Sequence, residues 1–125
     1  MLYCLVLGDI IEKSFTVEVS RDLSISVLRE TIWEKKKNFF NENKIDADQL
    51  KLWRVNIPVD GLDLETKINA EDIKEQLVNE NKLSTFKVVE NYFDDEESFS
   101  NQQPNNHVIR IIIQPDYGEC LYDVN

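Results

Sequence analysis

Ser24-Ile-Ser-Val-Leu-Arg-Glu-Thr-Ile32 is the stretch that decides the fold of this 125-residue chain. The apolar positions that recur in it at helical spacing are Ile25, Leu28 and Ile32. Ser24 stands directly before them and is a residue type that caps helix N-termini. The pattern predicts one amphipathic helix that begins after Ser24 and runs to residue 39 or 40, with one buried face.

Four runs of apolar residues surround this helix and predict β-strands. Residues 2–7 are apolar at every second position on both faces, which is typical of a central strand. Residues 15–20 alternate between apolar and polar, which indicates one solvated face. Residues 50–55 also alternate, and Pro58 ends that run. Residues 108–113, Val-Ile-Arg-Ile-Ile-Ile, form the strongest strand signal in the chain.

The segment between the third and fourth strands predicts helical turns and a loop. Asn69 and Asp72 have the spacing of a capping box, which predicts a second helix with Ile73 and Leu77 on its buried face. A shorter helical turn is expected within residues 84–92. Residues 94–106 are acidic and then rich in Asn, Gln and Pro, and they predict a mobile loop.

The predicted order is two strands, the main helix, a third strand, helical turns and a last strand. This order predicts an α+β fold of the ubiquitin-like β-grasp type, in which one amphipathic helix packs across one face of a mixed sheet. The chain length suits one domain with a sizeable core, which we place at residues 1–115. Residues 116–125 are expected to begin a linker to a C-terminal domain.

Charge narrows the classes of partner. With 14 basic and 24 acidic residues, the chain has a formal net charge of −10. Direct nucleic-acid binding is not expected, because phosphate backbones attract basic surfaces. Membrane insertion is not expected either, since no run approaches the roughly 20 apolar residues of a spanning helix. The apolar opening lacks the features of a signal peptide. Acidity favours partner proteins with basic patches, although it also serves solubility.

Candidate catalytic and metal-binding groups are sparse. Cys4 lies in an apolar run and predicts a buried thiol rather than a disulfide with the distant Cys120. Two cysteines and one histidine cannot form a four-ligand zinc site without carboxylates. His107 has no Ser or Cys nucleophile near it on a suitable turn, so no catalytic triad is predicted. We therefore predict no enzymatic activity, no cofactor and no metal.

Two resemblances to known families agree with this fold. Residues 15–32 and 46–53 resemble the second strand, central helix and third strand of ubiquitin-like domains, and residues 83–86 resemble a late turn of ubiquitin. Met1-Leu-Tyr-Cys-Leu-Val-Leu-Gly8 resembles the opening of Crinkler effectors, which oomycetes and some fungi send into host cells. Gln49-Leu-Lys-Leu-Trp-Arg-Val55 occupies the place of the Leu-Phe-Leu-Ala-Lys motif of that family, with altered ends.

The segment from His107 to Ile113 resembles the motif that closes the Crinkler header, so the resemblance spans residues 1–115. It implies a secreted, non-catalytic N-terminal domain that targets a C-terminal cargo domain to the host cell and the host nucleus, without an evident signal peptide. Its implied partners are host or self proteins. The altered Leu-Phe-Leu-Ala-Lys motif favours a fungal member over an oomycete one.

The resemblance also implies functional residues. The equivalent of the targeting motif is Leu50, Lys51, Leu52, Trp53, Arg54 and Val55, and the closing motif is His107, Val108, Ile109, Arg110 and Ile111. The alternative for the first set is a core strand, with Leu50 and Leu52 pointing inward and Lys51 and Trp53 covering the other face. Substitutions that unfold such a strand would then pass for a loss of targeting.

Several surface features leave alternatives open. Trp33 and Trp53 are candidates for a protein contact, because tryptophan is enriched at interface hot spots, or they pack at the edge of the core. Residues 35–37 are three lysines that suit a nuclear address or a solvated helix end. Residues 94–97 suit an acidic clasp of the PB1 type or a charged loop.

Two further predictions concern the whole domain. The alternative function is an intracellular ubiquitin-like interaction module of the Ras-association or PB1 type. Glu18 on the second strand disfavours the Ras-association reading, because those domains generally present a basic second strand to an acidic partner. An exposed edge strand of the sheet would also allow a weak homodimer.

Overall fold

A computed structural model describes residues 1–100, 102 and 107–116, and within them the sheet is four-stranded with the order β2-β1-β4-β3. The strands are β1 (Leu2–Val6), β2 (Phe15–Val17), β3 (Leu50–Pro58) and β4 (Val108–Pro115). The first and last strands run parallel in the middle, and β2 and β3 flank them in antiparallel orientation. With one main helix, this arrangement confirms the predicted α+β, β-grasp-like fold.

The main helix begins where the sequence predicts and ends earlier. Helix α1 spans Ile25–Lys35, and Ser24 Oγ accepts a hydrogen bond from the backbone N–H of Val27 at 3.2 Å. Lys36 has the non-helical angles φ −118° and ψ 31°, and a second helix, α2, spans Lys37–Glu42. The prediction of one helix to residue 39 or 40 was therefore wrong.

Packing of Phe40 gives the physical reason for this break. Phe40 is fully buried in the same core cluster as Ile32. In one continuous helix it would lie about 80° around the axis from Ile32, because eight residues advance about 100° each. The interruption at Lys36 lets the chain bury both side chains against the sheet.

Both faces of the sheet are covered, whereas the sequence predicted a covering element on one face only. The helix face packs Leu2, Cys4 and Ile111 against α1. On the opposite face, Leu5 and Ile112 belong to a second core cluster. The residues that cover this second face come from turns and loops rather than from a helix, and they include Ile11, Val59, Ile68 and Ile73.

The connection between β3 and β4 is built from short 3-10 turns. The predicted capping box is present, with the N–H of Asn69 donating to Asp72 Oδ2 at 2.9 Å. It starts a single 3-10 turn, Ala70–Ile73, so the predicted second helix was wrong in its extent. One turn already buries Ile73, and isolated short helices gain little stability of their own. The helical turn expected within residues 84–92 is a 3-10 turn at Val89–Asn91.

The acidic segment is more ordered than the predicted mobile loop. Its first part forms a 3-10 turn, Glu96–Phe99, in which Asp95 caps the N–H of Ser98 and Ser98 is buried. The carboxylate cap and this burial fix a stretch whose composition alone indicates a loop. Residues 101 and 103–106 lie outside the described part of the chain.

Cys4 is a fully buried thiol, and desolvation by this burial raises its pKa well above the ordinary range. Cys120 and residues 117–125, which hold most of the predicted linker, lie outside the described residues. Among the described helices, none has the length and apolar character to cross a membrane.

Candidate functional site

The two motif segments lie on adjacent strands. β3 carries residues 50–55 and β4 carries residues 108–111, and the strands pair in antiparallel register from Leu50 opposite Pro115 to Pro58 opposite Val108. Segments that are far apart in the sequence thus form one continuous surface. The implied targeting and closing motifs are parts of one structural unit.

Half of the targeting-motif equivalent lies in the core. Leu50 and Leu52 are buried on the helix face, and Val55 is buried on the opposite face. Lys51 is exposed, while Trp53 and Arg54 are half-buried. The strand therefore has the orientation that the core-strand interpretation expects, and it contributes to both layers of the core.

The two tryptophans pack at the margins of the core with their indole N–H groups already paired. Trp33 Nε1 donates to the carbonyl oxygen of Ile45 at 2.8 Å, and Trp53 Nε1 donates to Gln114 Oε1 at 3.0 Å. Trp33 packs against the helix-side cluster and Trp53 against the other. Their role in a protein contact stays a prediction.

Arg54 links β3 to the segment of turns that leads from β3 to β4. Its guanidinium donates to the carbonyl oxygen of Tyr92 at 3.1 Å and to Asn81 Oδ1 at 3.0 Å. The same group lies 6.0 Å from the centre of the Tyr92 ring. A planar fork can hold two acceptors at once, so lysine would not replace this arginine.

Arg110 makes the corresponding contact from β4. It pairs with Asp95 Oδ1 at 3.3 Å and lies 5.3 Å from the centre of the Phe93 ring. Burial acts to raise the pKa of Asp95, but hydrogen bonds from Ser98 and Arg110, together with the charge of Arg110, hold that pKa below its ordinary value. The acidic segment is thereby attached to the closing motif.

Arg54 and Arg110 line the same cavity of about 500 Å³. The pairing of β4 with both of its neighbours is irregular beside Arg110. On the β1 side, Tyr3 pairs with Ile109 and Cys4 pairs with Ile111. On the β3 side, Arg54 pairs with Ile111 and Ile57 pairs with Ile109, so two residues of β3 lie opposite Arg110. Such bulges re-aim side chains. The polar side chains that complete the cavity are Asn56, Gln76, Asn81, Glu97 and Ser98.

We call this cavity, which Arg54 and Arg110 line, the motif cavity. Its polar side chains hydrogen-bond to one another and to the backbone. Gln76 Oε1 accepts from the N–H of Asn56 at 2.6 Å, and Asn81 Nδ2 donates to the carbonyl oxygen of Gln76 at 2.9 Å. Both arginines already have acceptors within the domain. The arrangement holds the connection against β3 and β4, which is a positioning role for both motif arginines.

His107 has a serine partner, contrary to the sequence prediction. Ser14 Oγ lies 3.0 Å from His107 Nε2, and the Tyr3 ring stacks on the imidazole with its centre 4.0 Å away. Sequence reasoning missed this serine because the contact joins residues 93 positions apart. Within the described residues, no carboxylate bonds the other imidazole nitrogen, so the pair lacks the third member of a triad.

No local pattern in the sequence predicts the motif cavity or the contact between Ser14 and His107. Nothing in the sequence marks Asn81, Tyr92 and Asp95 as the partners of the two motif arginines. The folded connection between β3 and β4 brings these groups together. Among the described residues, no group of three or more His, Cys, Asp and Glu side chains could hold a metal ion.

Comparison with known proteins identifies a family whose model covers both motif strands. A family model described as the Crinkler effector protein N-terminal domain matches residues 1–114. The chain is 29% identical over 124 residues to Crinkler effector protein 1 of the fungus Rhizophagus irregularis, an alignment that covers 98% of this chain and 23% of the relative. The chain thus spans less than a quarter of the length of that curated relative. No solved structure matches it significantly. Because the family match extends over both motif strands and the helix between them, the chain belongs to the Crinkler effector N-terminal domain family.

Proposed function

We propose that this chain is the non-catalytic, ubiquitin-like N-terminal domain of a secreted Crinkler-type effector, and that it targets a C-terminal cargo domain to the host cell and its nucleus. The observation that carries the proposal is the family match over residues 1–114. The much greater length of the fungal relative supports a following cargo domain, here placed after a linker at residues 116–125.

The targeting role belongs to the surface that the motif strands support. A buried residue cannot touch a partner, so Leu50, Leu52 and Val55 act through stability alone. Lys51 is the exposed residue of the motif, and Trp53 and Arg54 are half-buried. Host or self proteins are the proposed partners, and Lys51 is the motif residue proposed to contact them.

Delivery of a reporter tests the proposal. The domain is fused to a fluorescent protein and applied to host cells, with the fluorescent protein alone as the control. We expect the fusion to enter the cells and to collect in their nuclei. A fusion that is folded by circular dichroism, but stays outside the cells, would overturn the targeting role.

The non-catalytic assignment rests on the incomplete Ser14–His107 pair. A nucleophile needs an oriented base, and within the described part of the chain nothing orients this imidazole through its second nitrogen. We expect the purified domain to hydrolyse p-nitrophenyl acetate no faster than its Ser14→Ala variant does. Hydrolysis that disappears with this substitution would contradict the assignment.

The alternative of an intracellular interaction module has weaker support. Asp95, in the middle of the proposed acidic clasp, is already paired with Arg110. β2 ends at Val17, one residue earlier than the predicted position of Glu18 on this strand requires, and Glu18 directly after it is exposed and acidic. A pull-down with a small GTPase discriminates, because retention of the GTPase would favour this alternative.

Self-association is proposed at one edge of the sheet only. The outer edge of β3 is partly covered by residues 82 and 83. The backbone of Trp53 forms an isolated antiparallel β-bridge with Lys82, and the N–H of Leu83 donates to the carbonyl oxygen of Leu52 at 2.9 Å. β2 has a neighbouring strand on one side only, but it is three residues long. A short edge gives few hydrogen bonds, so we expect a weak homodimer, measured by sedimentation at several concentrations.

A further inference from the structure

One stripe of α1 faces away from the core. Its members recur at positions i, i+3, i+4 and i+7, and they are Val27, Glu30, Thr31 and Glu34. Residues with this spacing share one face of a helix, and the buried residues of α1 lie on another face. Val27 is 45% exposed although it is apolar, and both glutamates are exposed. The stripe therefore presents apolar and acidic groups side by side.

A groove of about 420 Å³ lies along this stripe, between α1 and the 3-10 turn Ala47–Gln49. We call it the α1 groove. Trp33 and Ala47 complete its lining. The indole N–H of Trp33 donates to the carbonyl oxygen of Ile45 at 2.8 Å, which fixes the ring at the wall of the groove. Val27, Trp33 and Ala47 thus form an apolar surface that is ready before any partner arrives.

Both charged side chains of the α1 groove are acidic. Glu30 and Glu34 line it, no basic residue does, and the local formal charge is −2. Within the described part of the chain, neither carboxylate has a hydrogen bond or an ion pair. Like charges at positions i and i+4 of a helix repel each other. A cation supplied by a partner would relieve this repulsion.

The basic residues nearest to this acidic pair in the sequence are directed elsewhere. Arg29 lines a different groove, at the start of β3. Lys36 Nζ lies 5.3 Å from the centre of the Phe15 ring. Burial raises the pKa of the Cys4 thiol and the charge of Lys35 opposes this shift, which places that charge on the sheet side of α1. The acidic pair is therefore left to a cation from another molecule.

We propose that the α1 groove docks a basic segment of a partner protein, in which two Lys or Arg side chains lie beside an apolar one. The basic side chains pair with Glu30 and Glu34, which lie about 6 Å apart along the helix axis, because each residue rises about 1.5 Å. The apolar side chain packs on Val27 and Trp33. The proposal rests on the interaction role proposed above and names the chemistry of the partner.

Charge and ligand number decide against other occupants. A nucleic acid would bring phosphates to two carboxylates on a domain of net charge −10. A second copy of the chain would add the same net charge again. A divalent cation takes about six or more oxygen ligands, and the groove offers two carboxylates. A basic segment is attracted by the local pair and by the net charge together.

Peptide binding to the purified 125-residue chain tests the proposal. Peptides are selected from a displayed library of random dodecapeptides, and fluorescence anisotropy gives the Kd of an enriched one. We expect enriched peptides to contain two or more Lys or Arg beside a large apolar residue. Glu30→Gln combined with Glu34→Gln should raise the Kd about tenfold, the combined scale of two surface ion pairs. Val27→Ala should raise it about fourfold, because it removes two methyl groups from the contact.

The matched control is Glu71→Gln combined with Glu75→Gln. These exposed glutamates have the same spacing, do not line the α1 groove, and belong to or follow the turn that covers the opposite face of the sheet. Each double variant changes the net charge from −10 to −8. We expect the control to change the Kd by less than about twofold, because salt screens charges that are more than about 8 Å apart. Both double variants should keep the thermal midpoint of the wild type.

An equal loss of affinity in the two double variants would reduce the effect to net charge and overturn the proposal. So would a library that yields no binder, enrichment without basic residues, or an affinity that does not depend on Val27. Stronger binding of single-stranded RNA, of calcium or of a second copy of the chain would also overturn it. Because the assay needs no host cell, its failure is distinct from a failure of reporter delivery.

Discussion

Replacing Leu52 by alanine separates the stability of the motif strand from any direct role in targeting. Leu52 is 2% exposed and packs in the helix-side cluster. Burial of this kind makes a Leu→Ala substitution cost about 2–5 kcal/mol, through lost transfer energy and the cavity that remains. The neighbouring Lys51 is exposed, so Lys51→Ala should change stability by less than about 0.5 kcal/mol.

These costs can be compared with the stability of the whole domain. A domain of this size unfolds with about 5–15 kcal/mol, so Leu52→Ala removes a large share of the total. At about 4 °C per kcal/mol, its thermal midpoint should fall by roughly 8–20 °C. Trp33 and Trp53 are half-buried and report unfolding in urea by their fluorescence.

The decisive assay measures urea unfolding and reporter delivery on the same two variants. We expect Leu52→Ala to lose delivery in proportion to the unfolded fraction, and to recover it at lower temperature. Delivery lost by Leu52→Ala at a temperature where the variant is as folded as the wild type would refute the reasoning. Lys51→Ala, whose fold should stay intact, then reports on recognition alone.

Three other perturbations test the remaining physical claims. Ser24→Ala removes the cap of α1 and should lower the free energy of unfolding in urea by about 0.5–2 kcal/mol. Folding lowers the pKa of Asp95, so its carboxylate stabilises the domain above its ordinary pKa of 3.8, and this contribution is lost as the pH falls through the lower folded value. The Asp95→Asn variant should therefore have a lower free energy of unfolding than the wild type near neutral pH, and this difference should shrink as the pH falls through that acidic range. A difference that stays constant with pH would contradict the reasoning. The Cys4 thiol is buried and its pKa is raised, so it should react with Ellman's reagent only after the domain unfolds. Peptide mapping identifies the labelled cysteine, and rapid labelling of Cys4 in the native domain would contradict its burial.

Local signals account for the parts of the fold that the sequence predicts. The start of α1 follows from Ser24 and the apolar spacing after it, and the central strands follow from residues that are apolar on both faces. The layer on the second face had no such signal. Ile11, Val59 and Ile68 come from separate turns without a common period, so their packing depends on the completed sheet.

The candidate sites needed tertiary information for the same reason. Arg54 and Arg110 line one cavity at the place where both ladders of β4 shift register beside Arg110. No periodicity in the sequence encodes a register shift. The contact of Ser14 with His107 likewise depends on the positions of strands that are distant in the chain. Sequence reasoning could name most of these residues but could not place them together.

The burial of the motif strand restricts how it can take part in recognition. Leu50, Leu52 and Val55 are core residues, and Trp53 and Arg54 direct polar atoms to partners within the domain. Lys51 is left as the exposed motif residue, so Lys51→Ala tests recognition by the strand without disturbing the core.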